Sequence, residues 1–227
     1  MCGRYTLATP DWSQLRVRFP IGERIEPRRR YNVAPGDDVL AVIQRRDAER
    51  PEGALLRWGL VPGWASDPKE MAVKTINARA ETVAERPAYR DAFARKRCLI
   101  VADGFFEWSG GTPHWITRPG GEPFAFAGLW ASWRPRDGDD VEPLRTCSIV
   151  TTAAVGPVTA LHHRMPVILD RDDEPLWLDP SSPADELHAL MAPVDPRLEY
   201  RPVSRAVNDA RHDEPDCLDP PEQASLF

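Results

Sequence analysis

Short apolar runs bounded by turn residues recur along this chain, and most are too short for helices. Val39 to Ile43, Leu55 to Val61, Cys98 to Val101, Phe105 to Trp108, His114 to Thr117 and Phe124 to Trp130 read as strands, as do Cys147 to Thr152 and Pro166 to Leu169. Gly110-Gly111 and Gly120-Gly121 fall between three of these strands and supply turns. Cys2 to Leu7 opens the chain with another short strand. Helical spacing occurs in three places. Trp12, Leu15 and Phe19 follow Thr9-Pro10-Asp11, a cap, a first-turn proline and an acid. Glu85 to Lys96 places Tyr89 and Phe93 inward, and Ala184 to Met191 forms a third helix. The pattern predicts an α+β fold: a mainly antiparallel, curled, barrel-like β-sheet core with peripheral helices. There is no internal repeat. From Arg211 onward the chain is acidic, proline-bearing and poor in apolar residues, so residues 1–210 read as one domain and 211–227 as a disordered tail.

Composition narrows the class. With 227 residues, 42% of them hydrophobic and eight tryptophans, the chain can bury a full core. No apolar run reaches the length of a membrane span and no signal peptide opens the chain, so a cytoplasmic location is expected. Four cysteines lie far apart without a C-x-x-C pair, which argues against a zinc ribbon or a disulfide scaffold. Cys98 and Cys147 sit in apolar runs and read as core. The net charge of −6 hides a split: residues 1–100 carry a surplus of six positive charges and residues 101–227 a surplus of twelve negative ones. The positive half is mostly arginine, whose fork suits phosphate but which a GC-rich genome also favours. Charge alone leaves nucleic-acid binding open.

Candidate chemistry begins at Met1-Cys2-Gly3-Arg4. Methionine is readily trimmed before a small residue, which would leave Cys2 as a 1,2-aminothiol. Its amine titrates near ~7.7–8.0 and its thiol near ~8.5, so both are partly nucleophilic at neutral pH. An amine condenses with an aldehyde to a Schiff base, and a neighbouring thiol closes a thiazolidine. Taken alone, Cys2 is better explained as an accident of the start site.

Other motifs carry similar pairs of readings. Trp58 to Trp64 ends a strand in an aromatic turn; its tryptophans suit a core, or Trp64 could stack on a base. Asn77 and Arg79 share a face if extended, or cap a turn. Glu107 lies between Phe106 and Trp108, where a raised pKa would allow proton transfer, or it occupies the polar face of a strand. His162-His163 offers a proton shuttle, and no ligand cluster with metal spacing accompanies it.

Six segments in order resemble the SOS response-associated peptidase family, the abasic-site processing proteins: Met1 to Tyr5, Tyr31 to Pro35, Trp58 to Pro62, Asn77 to Glu81, Ala102 to Trp108 and His162 to Pro166. The resemblance spans about Met1 to Asn208. It implies that Cys2 is catalytic after loss of Met1, that Asn77, Glu107 and His162 complete the site, and that Arg4, Arg79 and Arg164 bind DNA phosphates. It implies single-stranded DNA containing abasic sites as partner, a covalent thiazolidine crosslink, self-removal of Met1, and neither cofactor nor metal. A monomer is expected. The family commonly has aspartate where this chain has His163; spacing to Arg164-Met165-Pro166 favours His162 as the active histidine.

The chain ends Gln223-Ala224-Ser225-Leu226-Phe227, similar to the bacterial sliding-clamp pentapeptide Gln-Leu-Ser/Asp-Leu-Phe except at Ala224. Leu226 and Phe227 would fill an apolar pocket and Gln223 would bond at its rim. Two other functions compete: a class II glutamine amidotransferase, which also starts Met-Cys-Gly, and a non-covalent reader of modified or damaged DNA.

Overall fold

The structure is a computed structural model describing residues 2–8, 11–23, 25–26, 28–135 and 141–222. In chain order the elements are β1 (Tyr5–Leu7), α1 (Trp12–Arg18), β2 (Arg30–Val33), β3 (Asp38–Ile43), β4 (Glu52–Trp58), α2 (Pro68–Lys74), β5 (Asn77–Arg79), α3 (Arg90–Arg95) and β6 (Arg97–Ala102). There follow β7 (Gly104–Ser109), β8 (Thr112–Thr117), β9 (Phe124–Trp133), β10 (Leu144–Ala153), β11 (Arg164–Pro166), β12 (Ile168–Leu169), α4 (Glu174–Leu178), α5 (Ala184–Leu190) and β13 (Glu199–Pro202).

Five strands close into a barrel. β3 pairs antiparallel with β4 and β6, β6 with β9, and β9 with β10, while β10 returns to β4 in parallel. Closure removes the free edges that would otherwise invite aggregation. A second, antiparallel sheet runs β13-β8-β7-β1-β2. The expected α+β, barrel-like, mainly antiparallel fold is what forms.

The barrel strands read as unbroken apolar runs because alternate positions feed different cores. Leu40, Val42, Leu99, Val101, Ala127 and Leu129 join the core shared with Leu15, Phe93, Trp177 and Leu187 of the helices. Val39, Ala41, Ile43, Cys98, Ile100 and Phe126 join the core shared with Tyr5, Phe105 and Ile116 of the second sheet. Each fully buried large side chain is worth about 1.5–3 kcal/mol. Both predicted core cysteines, Cys98 and Cys147, are fully buried.

Some boundaries shift for local reasons. Asp11 caps α1, accepting from the Ser13 and Gln14 amides at 2.9 and 3.1 Å. The strand expected over Leu55 to Val61 stops at Trp58, because Gly59 turns with φ +125° and a Cβ there would meet Ala72 O at 2.7 Å. The helix expected over Glu85 to Lys96 shrinks to α3, since Pro87 lacks the amide a helix would need. Pro166 to Leu169 splits between barrel neighbours: β11 pairs β10 and β12 pairs β9.

The disordered tail expected from Arg211 is corrected for its first part. Residues Pro215–Leu218 form a 3-10 turn, Cys217 is buried, and the Asp213 carboxylate accepts the Tyr31 and Asn32 amides at 2.6 and 2.8 Å while ion-pairing Arg30. An acid that looked like solvent-facing charge is a structural anchor. Gln223 to Phe227, and with them the clamp motif, lie outside the described residues. No described helix is long and apolar enough to cross a membrane.

Candidate active site

β1 and β7 pair in the register Tyr5↔Phe105, and the Phe106 amide donates to Arg4 O at 3.0 Å. That register carries Glu107 alongside the chain start at Cys2 and Gly3. From the barrel side, β5 pairs in parallel with β10, Asn77 opposite Ile149, and the Asn77 Nδ2 donates to Cys2 O at 2.8 Å. The Asn77 amide oxygen is buried with no hydrogen-bond partner among the described residues. Such an acceptor is costly unless a bound group satisfies it.

Cys2 is fully buried, and its thiol lies 3.8 Å from Arg4 O. Burial pushes the thiol well above its usual pKa, and the Glu107 charge adds to the effect. Glu107 is 4% exposed, and burial raises its carboxyl, opposed by positive charge including that of His162. Phe106 points the other way, into a small core with Val203, Val207 and Cys217. The strand alternation expected of the structural reading therefore exists, yet the face opposite Phe106 is buried, not solvated.

His162 precedes β11. Its Nδ1 accepts the Arg164 amide at 2.9 Å and lies 3.1 Å from Arg164 O. An Nδ1 that accepts the amide leaves the ring proton on Nε2, and an Nδ1 that carries a proton has the carbonyl to donate to. His163 stacks on His162 with centroids 4.3 Å apart and is exposed. The positive character of His162 lowers the His163 pKa, helped by desolvation and by Arg164 and Arg79.

The three arginines differ. Arg4 Nη1 donates to Val207 O at 2.8 Å and to Asn32 Oδ1 at 3.1 Å. Arg164 makes a two-pronged bond to Glu81 and reaches Thr151 O at 2.6 Å. Arg79 is exposed, and its guanidinium has no hydrogen bond or ion pair among the described residues. Trp64 is 53% exposed.

Several supporting residues had escaped the sequence reading. Tyr89 donates to Asn77 O at 2.9 Å and, half-sunk in the fold, has its pKa raised to about 12 by burial. Glu81 holds Arg164, which in turn lowers the Glu81 pKa. Asn32 faces the carbonyls of Val207, Asp209 and His212 at 3.1, 2.9 and 2.7 Å. Glu81 and Asn32 lie inside the Asn77–Glu81 and Tyr31–Pro35 motifs, which is the signal the sequence offers for them; Tyr89 carries only the signal of an inward helix residue. The three metal-capable groups brought within 4.8 Å of one another, His212, Asp216 and Cys217, belong to the C-terminal segment. Three donors fall one short of the usual structural zinc set.

The family model for SOS response associated peptidase (SRAP) matches residues 1–210. The chain belongs to this family. An abasic site processing protein of Bacillus subtilis, YoaM, is 40% identical over 96% of the chain and 98% of its own length. The abasic site processing protein HMCES of Gallus gallus is 34% identical over 98% of the chain and 78% of its own length. A crystal structure from Bacteroides thetaiotaomicron matches with a TM-score of 0.84 at 24% identity, over 96% of this SRAP chain and 99% of that chain, a likeness of fold. A second, from Bordetella bronchiseptica, matches with a TM-score of 0.75 at 27% identity, over 89% and 100%.

Proposed function

We propose that this SRAP protein acts on abasic sites in single-stranded DNA and captures them covalently through Cys2 once Met1 is removed. What supports the reading most is one chain of contacts: Asn77 on the Cys2 carbonyl, the Glu107 charge felt at the Cys2 thiol, and the His162 charge felt at Glu107. The relatives named as abasic site processing proteins point the same way. An N-terminal peptidase role, cleaving the Met1–Cys2 bond, would expose the amine, with Glu107 as the proton acceptor.

The order of steps follows from acidity. Burial keeps the thiol neutral, so the amine is the first nucleophile. It adds to the ring-opened sugar aldehyde, Glu107 takes its proton, and loss of water gives the imine. The thiol then adds to the imine carbon and its proton passes to nitrogen, closing the thiazolidine. His162, protonated on Nε2 when neutral, donates to the sugar oxygen as the ring opens. Asn77 offers its unmatched oxygen to a sugar hydroxyl. Arg79 is the arginine left to grip phosphate, Arg4 and Arg164 add to the positive field while holding protein partners, and Trp64 stacks on a base.

The test is a single-stranded oligonucleotide with one abasic site. A denaturation-resistant adduct is expected from the mature protein. Cys2→Ala should abolish it while leaving salt-sensitive binding, and Cys2→Ser should give a reducible or short-lived one. A stable crosslink from Cys2→Ala would sink the thiazolidine. Release of ammonia from glutamine would support the amidotransferase instead, and binding that never becomes covalent would support a reader. We also assign Gln223, Leu226 and Phe227 to a bacterial sliding clamp, a tether that would raise local concentration at replication forks. No binding of a tail peptide to clamp at high micromolar concentration retires that assignment.

A further inference from the structure

Outside the site, two grooves run into each other on the surface of the barrel. One, of about 890 Å³, is lined by Arg45, Arg46, Arg95, Lys96 and Trp130. The other, of about 360 Å³, is lined by Trp64, Pro87, Arg95, Lys96 and Trp130. Arg95, Lys96 and Trp130 are common to both, so one track leads from Trp64 to Arg46. The turns of residues 80–89 join β5, which carries Arg79, to α3, which ends at Arg95 on this track.

The charge on the track is unevenly neutralised. Arg45 pairs with Glu52 at 3.1 Å and with Asp47 at 3.6 Å, and Asp91 pairs with Arg90 at 3.7 Å. Arg46, Arg95 and Lys96 have no ion-pair partner among the described residues. The Lys96 ammonium lies 5.0 Å over the Trp130 ring, and the Trp130 amide is tied to Lys96 O at 2.8 Å. Trp130 is 93% buried by its 7% exposure, and its indole Nε1 has no hydrogen-bond partner among the described residues. A buried, unmatched donor beside unpaired cations calls for an acceptor from outside the chain.

We infer that this track is a second nucleic-acid contact, holding the phosphodiester backbone of the strand that flanks the captured nucleotide. The cations come from two segments, Arg46 on the connection after β3 and Arg95 with Lys96 at the end of α3, and together they line one groove. Trp64 provides a stacking face at one end, and the positive surplus of residues 1–100 is spent partly here. The inference rests on the single-strand reading above but not on the covalent chemistry.

The experiment measures binding of undamaged single strands of about 8 and about 30 nucleotides, bracketing the usual site sizes of single-strand binders. It also measures crosslinking to a short abasic strand. Wild type should prefer the long strand. The triple variant Arg46→Ala, Arg95→Ala, Lys96→Ala should lose that preference by roughly tenfold at low salt and flatten its salt dependence by about two to three charges, with short-strand crosslinking unchanged. Trp130→Phe, which keeps a ring and removes the N–H, should lose a smaller part of it. Arg46→Lys with Arg95→Lys keeps the charge and should stay near wild type, which separates charge from misfolding. A triple variant matching wild type on the long strand overturns the inference. So does an equal loss on both lengths, or a wild type without length preference, which would leave the groove to an acidic protein segment. If no strand is ever crosslinked while the length preference depends on these residues, the covalent reading fails and the track stands.

Discussion

Glu107 is held in a place where a carboxylate is uncomfortable, and the cost has a measurable pH signature. Burial raises its pKa in the folded state, so that state binds the proton more tightly than the unfolded chain. The resulting stability is fully present below the ordinary glutamate value of about 4.3 and is lost as pH rises through the raised folded value. Glu107→Gln should therefore melt a few degrees above wild type at neutral pH, and the two curves should converge near about pH 4. The same variant should slow crosslinking by roughly 10²-fold or more at neutral pH, with partial recovery as rising pH deprotonates the Cys2 amine. Higher stability with lower activity would mark a site residue; identical melting and identical rates would return Glu107 to a purely structural role. His162 makes a different prediction. Its ring is oriented by the Arg164 amide. His162→Ala should slow both adduct formation and reversal, and a pre-opened aldehyde should bypass much of the forward defect.

At the scale of elements, the N-terminal strand and the C-terminal segment hold each other through Asn32 on β2. Asn32 accepts from Arg4 and faces three carbonyls of residues 207–212. Each buried polar group left unmatched costs about 1–3 kcal/mol. Asn32→Ala should lose roughly 2–4 kcal/mol in urea melts and reduce crosslinking, because Arg4 is two residues from Cys2. Removing residues 211–227 should be at least as damaging, whereas removing 223–227 should leave the melt unchanged. An unaltered melt for the longer truncation would contradict the anchoring by Asp213. These contacts were hard to read in the sequence. The barrel strands announced themselves because both faces are buried. β13 is exposed at all four positions, α2 buries none of its residues, and residues 211–218 are held by a carboxylate on backbone amides. None of these leaves an apolar period to detect.

Across the whole molecule, the legible part of the site was the set of motifs, and the illegible part was what the fold does with them. Asn77 and Arg79 are two residues apart, and the reading that they share a face follows from an extended β5. Nothing in the spacing showed that Glu81 would take Arg164 across 83 residues while Arg79 stayed exposed. That partition predicts different behaviour from arginines that look equivalent in sequence. Arg79→Ala should leave the melting curve nearly unchanged, weaken binding to single strands, and flatten the salt dependence by about one charge. Its crosslinking defect should recover at saturating DNA. Arg164→Ala should instead destabilise the fold around β10 and β11, because Thr151 O and Glu81 lose their partner. The Glu81 carboxyl is lowered chiefly by its bond to Arg164, so this pair contributes stability above the ordinary glutamate pKa and loses it as pH falls through the lowered folded value. Arg164→Ala and Glu81→Gln should accordingly share one phenotype: a lower melting temperature at neutral pH, a gap from wild type that narrows in acid, and a crosslinking defect that persists at saturating DNA. Parallel salt titrations and melts of the three variants decide it. If Arg164→Ala changed only the salt slope and left the melt untouched, its guanidinium would be serving phosphate and not Glu81.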